Sequence, residues 1–444
     1  MNIYKQVLKL AAPIAMHSVL FSSLGFIDAY MLAQLGGESV AAGSVGGRVM
    51  WVCFNIIIGL SGAVAILVAQ GAGANSDKAI GQNLHLGMGF ALLVATIVSP
   101  LLFYFASPIV SLISSDRQVI LLAASYIEIT AFTLFAGALS TLWGAGLRAI
   151  GKPQIALYLF LIELILNVTF NYLLIFGNAG FPALGIQGAA WGTLLAKSLS
   201  TLLLAVYVHR RIPLLKLNYT VMKRALTIGK IKQYWVLALP LIGGELVWSL
   251  GLSVYHSIYG HIDSTVLAAM AVLAPIEIIA ASFSWGCAAA TGVLISQTIG
   301  ARNHAALSRY IRAGLICSLV AATVLVLSLW LSQGWIWRGL NQLEPAVLAQ
   351  TESLFPLILT SILLRAMTMT MMSGVLKSGG DTTFTFWLDL IAQWVLAVPL
   401  SLCAAFLLDW PIEGIYAVVL LEEVTKLVPM FYRVKTGKWI KQLA

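Results

Sequence analysis

AAGSVGGRVMWVCFNIIIGLSGAVAILVAQGAGA, residues 41–74, carries one charged residue, Arg48, and none from Val49 onward. About 20 consecutive apolar residues are enough for a helix to cross the hydrocarbon of a bilayer, and this run exceeds that. Its pattern returns as AAMAVLAPIEIIAASFSWGCAAATGVLISQTIGA at 268–301, where AAGSV aligns with AAMAV and AQGAGA with SQTIGA at an offset of 227 residues. The same offset relates LKLAAPI (8–14) to WVLALPL (235–241), setting Pro13 opposite Pro240. Later, LRAIGK (147–152) faces LKSGGD (376–381) at an offset of 229. The chain reads as a duplicated membrane-spanning unit.

The rest of the composition agrees. Of the 444 residues 60% are hydrophobic and 10% charged, with a mean hydropathy of +0.93; soluble domains carry roughly 25% charged residues. A transmembrane β-barrel is excluded because its strands alternate over short segments, whereas these runs are continuous. Apolar runs fall near 10–33, 44–70, 83–105, 119–146, 153–177 and 185–208, then near 234–259, 267–297, 308–333, 354–377, 383–408 and 411–432. The expectation is an all-α polytopic membrane protein of twelve transmembrane helices. The basic, apolar N-terminus lacks a small-residue cleavage site and reads as the first span. The four cysteines lie in apolar runs without a CxxC pattern, so small-residue packing is their expected role.

The basic residues orient the spans. Lys5, Lys9, Lys78, Arg148, Lys152, the seven basic residues of 209–233 and the tail Arg433, Lys435, Lys438 and Lys441 share one side, with Arg302, Arg309, Arg312 and Lys377. The other side keeps Arg48, Arg117 and Arg338. The positive-inside rule then places both termini in the cytoplasm of a multi-pass inner (plasma) membrane protein. The net charge of +9 is accounted for by topology and anionic lipid, with no nucleic-acid partner implied. Six spans per half give the halves the same orientation, a parallel repeat about the membrane normal. The expected division is a six-helix lobe at 1–208, a basic cytoplasmic linker at 209–233 and a second six-helix lobe at 234–444. A chain this large and duplicated needs no partner copy, and a monomer is expected.

No enzyme constellation is present. The His residues are scattered, and HExxH, GxSxG and the Walker sequence are absent, so no cofactor or metal is expected. Without a nucleotide site, uphill transport must draw on an ion gradient. The intramembrane ionisable residues are therefore the informative ones. Asp28 has no Lys, Arg or His within ten residues of it in the chain. Glu163, Asn167 and Asn171 recur at i, i+4, i+8 and share one helix face. Asn171 lies level with Asp28, and Thr193 on the next span enters at a similar depth, so Asp28, Asn167, Asn171 and Thr193 can converge. That cluster reads either as static packing or as a coupling site. Amides and a hydroxyl solvate a carboxylate without neutralising it, which leaves a proton to do so. Pro13 either kinks span 1 or merely starts it. Glu163 with Lys197, and Glu245 with Arg365, stand at matching depths and are expected as ion pairs; Glu422 and Lys426 can pair along one helix. The run RAMTMTMMSG (365–374) fills core or adapts to hydrophobic ligands.

On these residues the chain resembles the multidrug and toxic compound extrusion (MATE) family. The resemblance is carried in order by LAAPI, GFIDAYMLAQLG, VAQGAGA, LRAIGKPQIAL, NVTFNYLLIFG and QGAAWGTLLAK. It continues through LALPLIGGE, STVLAAMAV, LISQTIGARN and GVLKSGGDTT. It implies export of amphipathic, often cationic, drugs or toxins in exchange for H+ or Na+. The family's first-span acid falls on Asp28, its fifth-span partners on Asn167 and Asn171, and its sixth-span threonine on Thr193. Norfloxacin-exporter-like members place acids near what are here Trp248 and Ala366, with Glu245 one turn before the first. That departure makes the chain look DinF-like and proton-coupled. One departure cuts the other way: some DinF-like relatives have a second aspartate where this chain has Asn171, which leaves Asp28 as the titrating group there. The expectation is an H+-coupled multidrug exporter. The alternatives are a Na+-coupled exporter using the same oxygens and a lipid-linked oligosaccharide flippase, which needs cations lining its cavity.

Overall fold

The computed structural model describes residues 2–443, and every regular element within them is helical. The first five spans are α1 (Ile3–Ala33), α2 (Gly37–Gly73), α3 (Asp77–Ser111), the pair α4 (Arg117–Thr130) and α5 (Thr133–Ala149), and α6 (Pro153–Phe176). The sixth is α7 (Ile186–Arg211), followed by the short α8 (Tyr219–Ala225). The second set is α9 (Ile228–Ile262), α10 (Ser264–Gly300), α11 (Leu307–Gly339) and α12 (Pro345–Met369), the last continuing into a π-helical segment Thr370–Lys377. Then come α13 (Thr382–Leu390), a π-helical segment Ile391–Ala397, α14 (Val398–Phe406) and α15 (Ile412–Lys435).

Among the described residues ten spans are long and apolar enough to cross a bilayer, and α4 with α5, bent by 51°, makes an eleventh. The 24 residues of α15 reach about 36 Å, long enough for the expected twelfth span but more charged than the other eleven. Local chemistry sets the ends. Ser76 accepts from the Ala79 N–H at 3.2 Å to cap α3, and Asp116 and Asp263 cap α4 and α10 in the same way. Pro153 and Pro345 open α6 and α12, where the missing N–H costs nothing. Gly177 ends α6 at a φ of 72°, a left-handed turn that a side chain would strain.

Packing gathers the chain into two compact units, one of Leu20–Ile242 and one of the residues up to Val19 with those from Gly243 onward. The divisions fall inside α1 and α9, the two helices that the LKLAAPI and WVLALPL repeat relates, rather than in the 209–233 segment. Small residues explain the grouping within each unit. In one, a Cβ on Gly286 of α10 would lie 2.6 Å from the Ala15 Cβ and 2.8 Å from the Ala11 carbonyl oxygen, so α1 packs backbone-close. In the other, Gly59 of α2 admits the Ile242 backbone, and the Tyr234 hydroxyl donates to the Leu60 carbonyl at 2.9 Å.

Candidate functional site

Within the unit Leu20–Ile242, α1, α6 and α7 bring four of the polar residues singled out in the sequence into one chain of hydrogen bonds. Asn171 Nδ2 donates to Asp28 Oδ1 at 2.7 Å and to Asn167 Oδ1 at 3.1 Å. Asn167 Nδ2 donates in turn to Thr193 Oγ1 at 3.2 Å. The helical spacing on α6 aligns the two amides. Two glycines on α7 let that face be met at close range: a Cβ on Gly188 would lie 2.3 Å from the Leu174 carbonyl oxygen, and one on Gly192 would lie 2.2 Å from Asn171 Oδ1. Neither glycine announces itself in the sequence beyond the small-xxx-small spacing of QGAAWG.

Asn167 and Asn171 are fully buried and Asp28 is half-buried. Among the described residues no basic group lies within 4 Å of the Asp28 carboxylate. Asn171 Oδ1 is buried without a hydrogen bond, and so are both ends of the Asn55 amide on α2, a residue the sequence reading passed over. The arrangement gives the carboxylate one amide N–H donor and no cationic side chain at ion-pair distance. No group of three or more His, Cys, Asp or Glu side chains suited to a metal occurs among the described residues.

One turn from Asn167, Glu163 pairs with Lys197 Nζ at 2.8 Å, as their depths suggest, and Lys197 also lies 6.0 Å from the Phe54 ring centre. Pro13 sits inside α1, ten residues past its first residue Ile3, so it does not start the helix. It belongs to the stretch of α1 grouped with the second unit, whereas Asp28 belongs to the first.

The second unit corrects one pairing. Arg365 does not meet Glu245; its Nη1 lies 3.3 Å from Glu277 Oε1 on α10 and its Nε 3.9 Å from Glu423 Oε1 on α15. Glu245 takes part in no ion pair among the described residues. Matching depth did not fix the direction each side chain takes around its helix. Glu277 also accepts from the Tyr416 hydroxyl at 2.7 Å, and Thr368 donates to Glu423. Glu422 and Lys426 pair at 2.6 Å as their spacing suggests, and Asp389 joins them at 2.9 Å, with Tyr255 donating to Glu422 at 2.8 Å. Glu277 and Asp389 stand as lone acids in apolar runs and Glu423 directly follows Glu422, a signal available in the sequence but not used. Of the methionine run, Met371 and Met372 are buried in a core cluster with Ile295, Ile299 and Val375.

The MatE family model matches residues 13–173 and 240–403. The chain is 23% identical over 436 residues to the uncharacterized transporter YisQ of Bacillus subtilis (strain 168), covering 97% of this chain and 94% of that one. It is 27% identical over 415 residues to a probable multidrug resistance protein NorM of Bradyrhizobium diazoefficiens, covering 91% and 87%. An outward-facing multidrug resistance MATE family transporter of the MOP superfamily shares the fold at a TM-score of 0.89 and 15% identity, covering 99% of this chain and 97% of that chain.

Proposed function

We propose, from the premise that this chain belongs to the MatE family of membrane transporters, that it exports amphipathic, often cationic organic compounds in exchange for protons, with Asp28 carrying the proton. The observation that carries this reading is a carboxylate inside a membrane helix, held at 2.7 Å by the neutral Asn171 amide with no basic residue at ion-pair distance. A hydrogen bond to a charged acceptor contributes about 1.5–3 kcal/mol and one to a neutral acceptor about 0.5–1.5. Each protonation of Asp28 therefore loosens the tie between α1 and α6, and each release restores it. Asn167 and Thr193 extend the tie to α7, where it can bias alternation between inward and outward openings. Pro13, interior to α1, gives that helix a missing hydrogen bond at which to bend.

Sodium coupling at the same residues is the competing reading. The cluster supports it less, because Asn171 turns an N–H donor, not an oxygen, toward both Asp28 and Asn167. The DinF-like assignment rests on the apolar Trp248 and Ala366, where norfloxacin-exporter-like members carry acids, and Asn171 in place of an aspartate counts against it. A flippase for pyrophosphate-linked sugars needs unpaired cations in the membrane, and Lys197 and Arg365 are both engaged by carboxylates. The lysine and arginine asymmetry supports cytoplasmic termini. Everted vesicles loaded by an imposed pH gradient or an imposed Na+ gradient separate the readings. Drug accumulation should follow the pH gradient and vanish in Asp28→Asn; accumulation driven by Na+ alone, or full activity in Asp28→Asn, overturns the proposal.

A further inference from the structure

The segment between α7 and α9 is docked onto the first unit. The Asn218 N–H donates to His85 Nε2 at 2.7 Å, while His85 Nδ1 bonds the Gly81 carbonyl at 2.6 Å. The Trp143 indole donates to the Leu215 carbonyl at 3.2 Å, and Leu215 is fully buried. Gln82 donates to the Arg224 carbonyl at 3.4 Å and accepts from Lys230. The segment therefore has a defined depth.

That depth follows from α3. Its 35 residues are about 52 Å long against a hydrocarbon core of about 30 Å, so about 22 Å in all extends beyond the core. Gln82 and His85 stand about 8 and 12 Å along the helix from Asp77, and the apolar run of α3 begins at residue 83. The groups that bond to them, Asn218, Arg224 and Lys230, lie at the boundary between hydrocarbon and headgroups.

At that level the segment exposes two kinds of side chain. Lys216, Lys223 and Arg224 are exposed. So are Tyr219 at 76%, Leu226 at 56% and Ile228 at 87%. No Asp or Glu occurs in the chain between Glu163 and Glu245, so no nearby sequence acid balances the cations. Basic groups with apolar neighbours at headgroup depth match a phosphate-bearing headgroup above its acyl chains.

We infer that this segment is a binding surface for anionic phospholipid, with phosphates on Lys216, Lys223 and Arg224 and acyl chains against Tyr219, Leu226 and Ile228. The binding anchors the rim of the first unit that carries His85 and Trp143. It does not depend on which ion drives transport.

The test uses the purified full-length protein in neutral detergent, titrated with phosphatidylglycerol, phosphatidylcholine or inorganic phosphate while its unfolding temperature is read. Phosphatidylglycerol should raise that temperature at much lower concentration than phosphatidylcholine, and inorganic phosphate should leave it unchanged. At about fivefold in affinity per basic residue near the surface, Lys216→Gln/Lys223→Gln/Arg224→Gln should weaken phosphatidylglycerol about a hundredfold. Lys216→Arg/Lys223→Arg should retain it. If the triple variant does not fold, the wild type in 0.5 M NaCl serves instead, where screening should remove most of the preference. Equal responses to the two lipids, a preference that survives in the triple variant or in salt, or an equal effect of inorganic phosphate each overturns the inference.

Discussion

Gly192→Ala should uncouple the transporter more than it destabilises it. The new Cβ would lie 2.2 Å from Asn171 Oδ1 and 3.0 Å from the Asn171 backbone nitrogen, against ordinary contact at 3.4 Å or more. Roughly 1 Å of clearance must open, and the amide is the part that can move. Shifted by that much away from α7, Asn171 cannot keep both its 2.7 Å bond to Asp28 and its 3.1 Å bond to Asn167. The loss of a bond to a charged group is about 1.5–3 kcal/mol, and overpacking costs about 1–3 kcal/mol in stability. Gly188→Ala is the matched control. Its Cβ meets the Leu174 carbonyl oxygen at 2.3 Å, a backbone that cannot rotate aside, and its nearest atoms include none from the cluster. It should destabilise at least as much. Transport driven by a pH gradient, normalised to folded protein by size-exclusion chromatography, should fall tenfold or more in Gly192→Ala, since about 1.4 kcal/mol is tenfold. It should stay within about twofold in Gly188→Ala. Equal losses in the two variants would show that Gly192 serves only helix packing.

Two further outcomes follow from side chains whose partners are now fixed. A double-mutant cycle of Glu277→Gln with Arg365→Met should return a coupling of about 0.5–3 kcal/mol, as contacting groups do, while Glu245→Gln with Arg365→Met should add within about 0.5 kcal/mol; unfolding by denaturant reads both, and the reverse order contradicts the pairing. Asp263, exposed between α9 and α10, has its carboxyl held below the ordinary aspartate range, first by the Thr265 backbone N–H. Its contribution to the start of α10 is complete above about pH 4 and is lost as pH falls through the folded value. Hydrogen exchange at the Thr265 amide should accelerate below that pH in the wild type and be fast at every pH in Asp263→Ala, after correction for intrinsic rates. Protection in the wild type that is flat down to pH 2 contradicts this.

The fold was legible because the bilayer removes alternatives. Backbone groups in hydrocarbon must bond within their own segment, so apolar length converts directly into helix, and the repeat at 227 residues supplied the pairing of halves. The packing units were less legible. That the first part of α1 joins Ala11 and Ala15 to Gly286, and that Gly59 admits Ile242, are contacts between small residues far apart in the chain. Gly and Ala in an apolar helix mark close approach somewhere without naming the partner.

The two buried-charge expectations show where sequence reasoning about a membrane site stops. Depth can be counted along a helix at 1.5 Å per residue, and for Glu163 and Lys197 it sufficed because α6 and α7 are consecutive and packed together through Gly188 and Gly192. For Glu245 and Arg365 the same count failed, since α9 and α12 are not consecutive and Arg365 has two acids of its own on α10 and α15. Azimuth around the helix decides, and a single intramembrane charge does not reveal it. Asp28 escaped that ambiguity because its partners on α6 are themselves ordered by the i, i+4 spacing of Asn167 and Asn171. A polar stripe gives direction as well as depth, and α1 then had only to present its one carboxylate to that stripe.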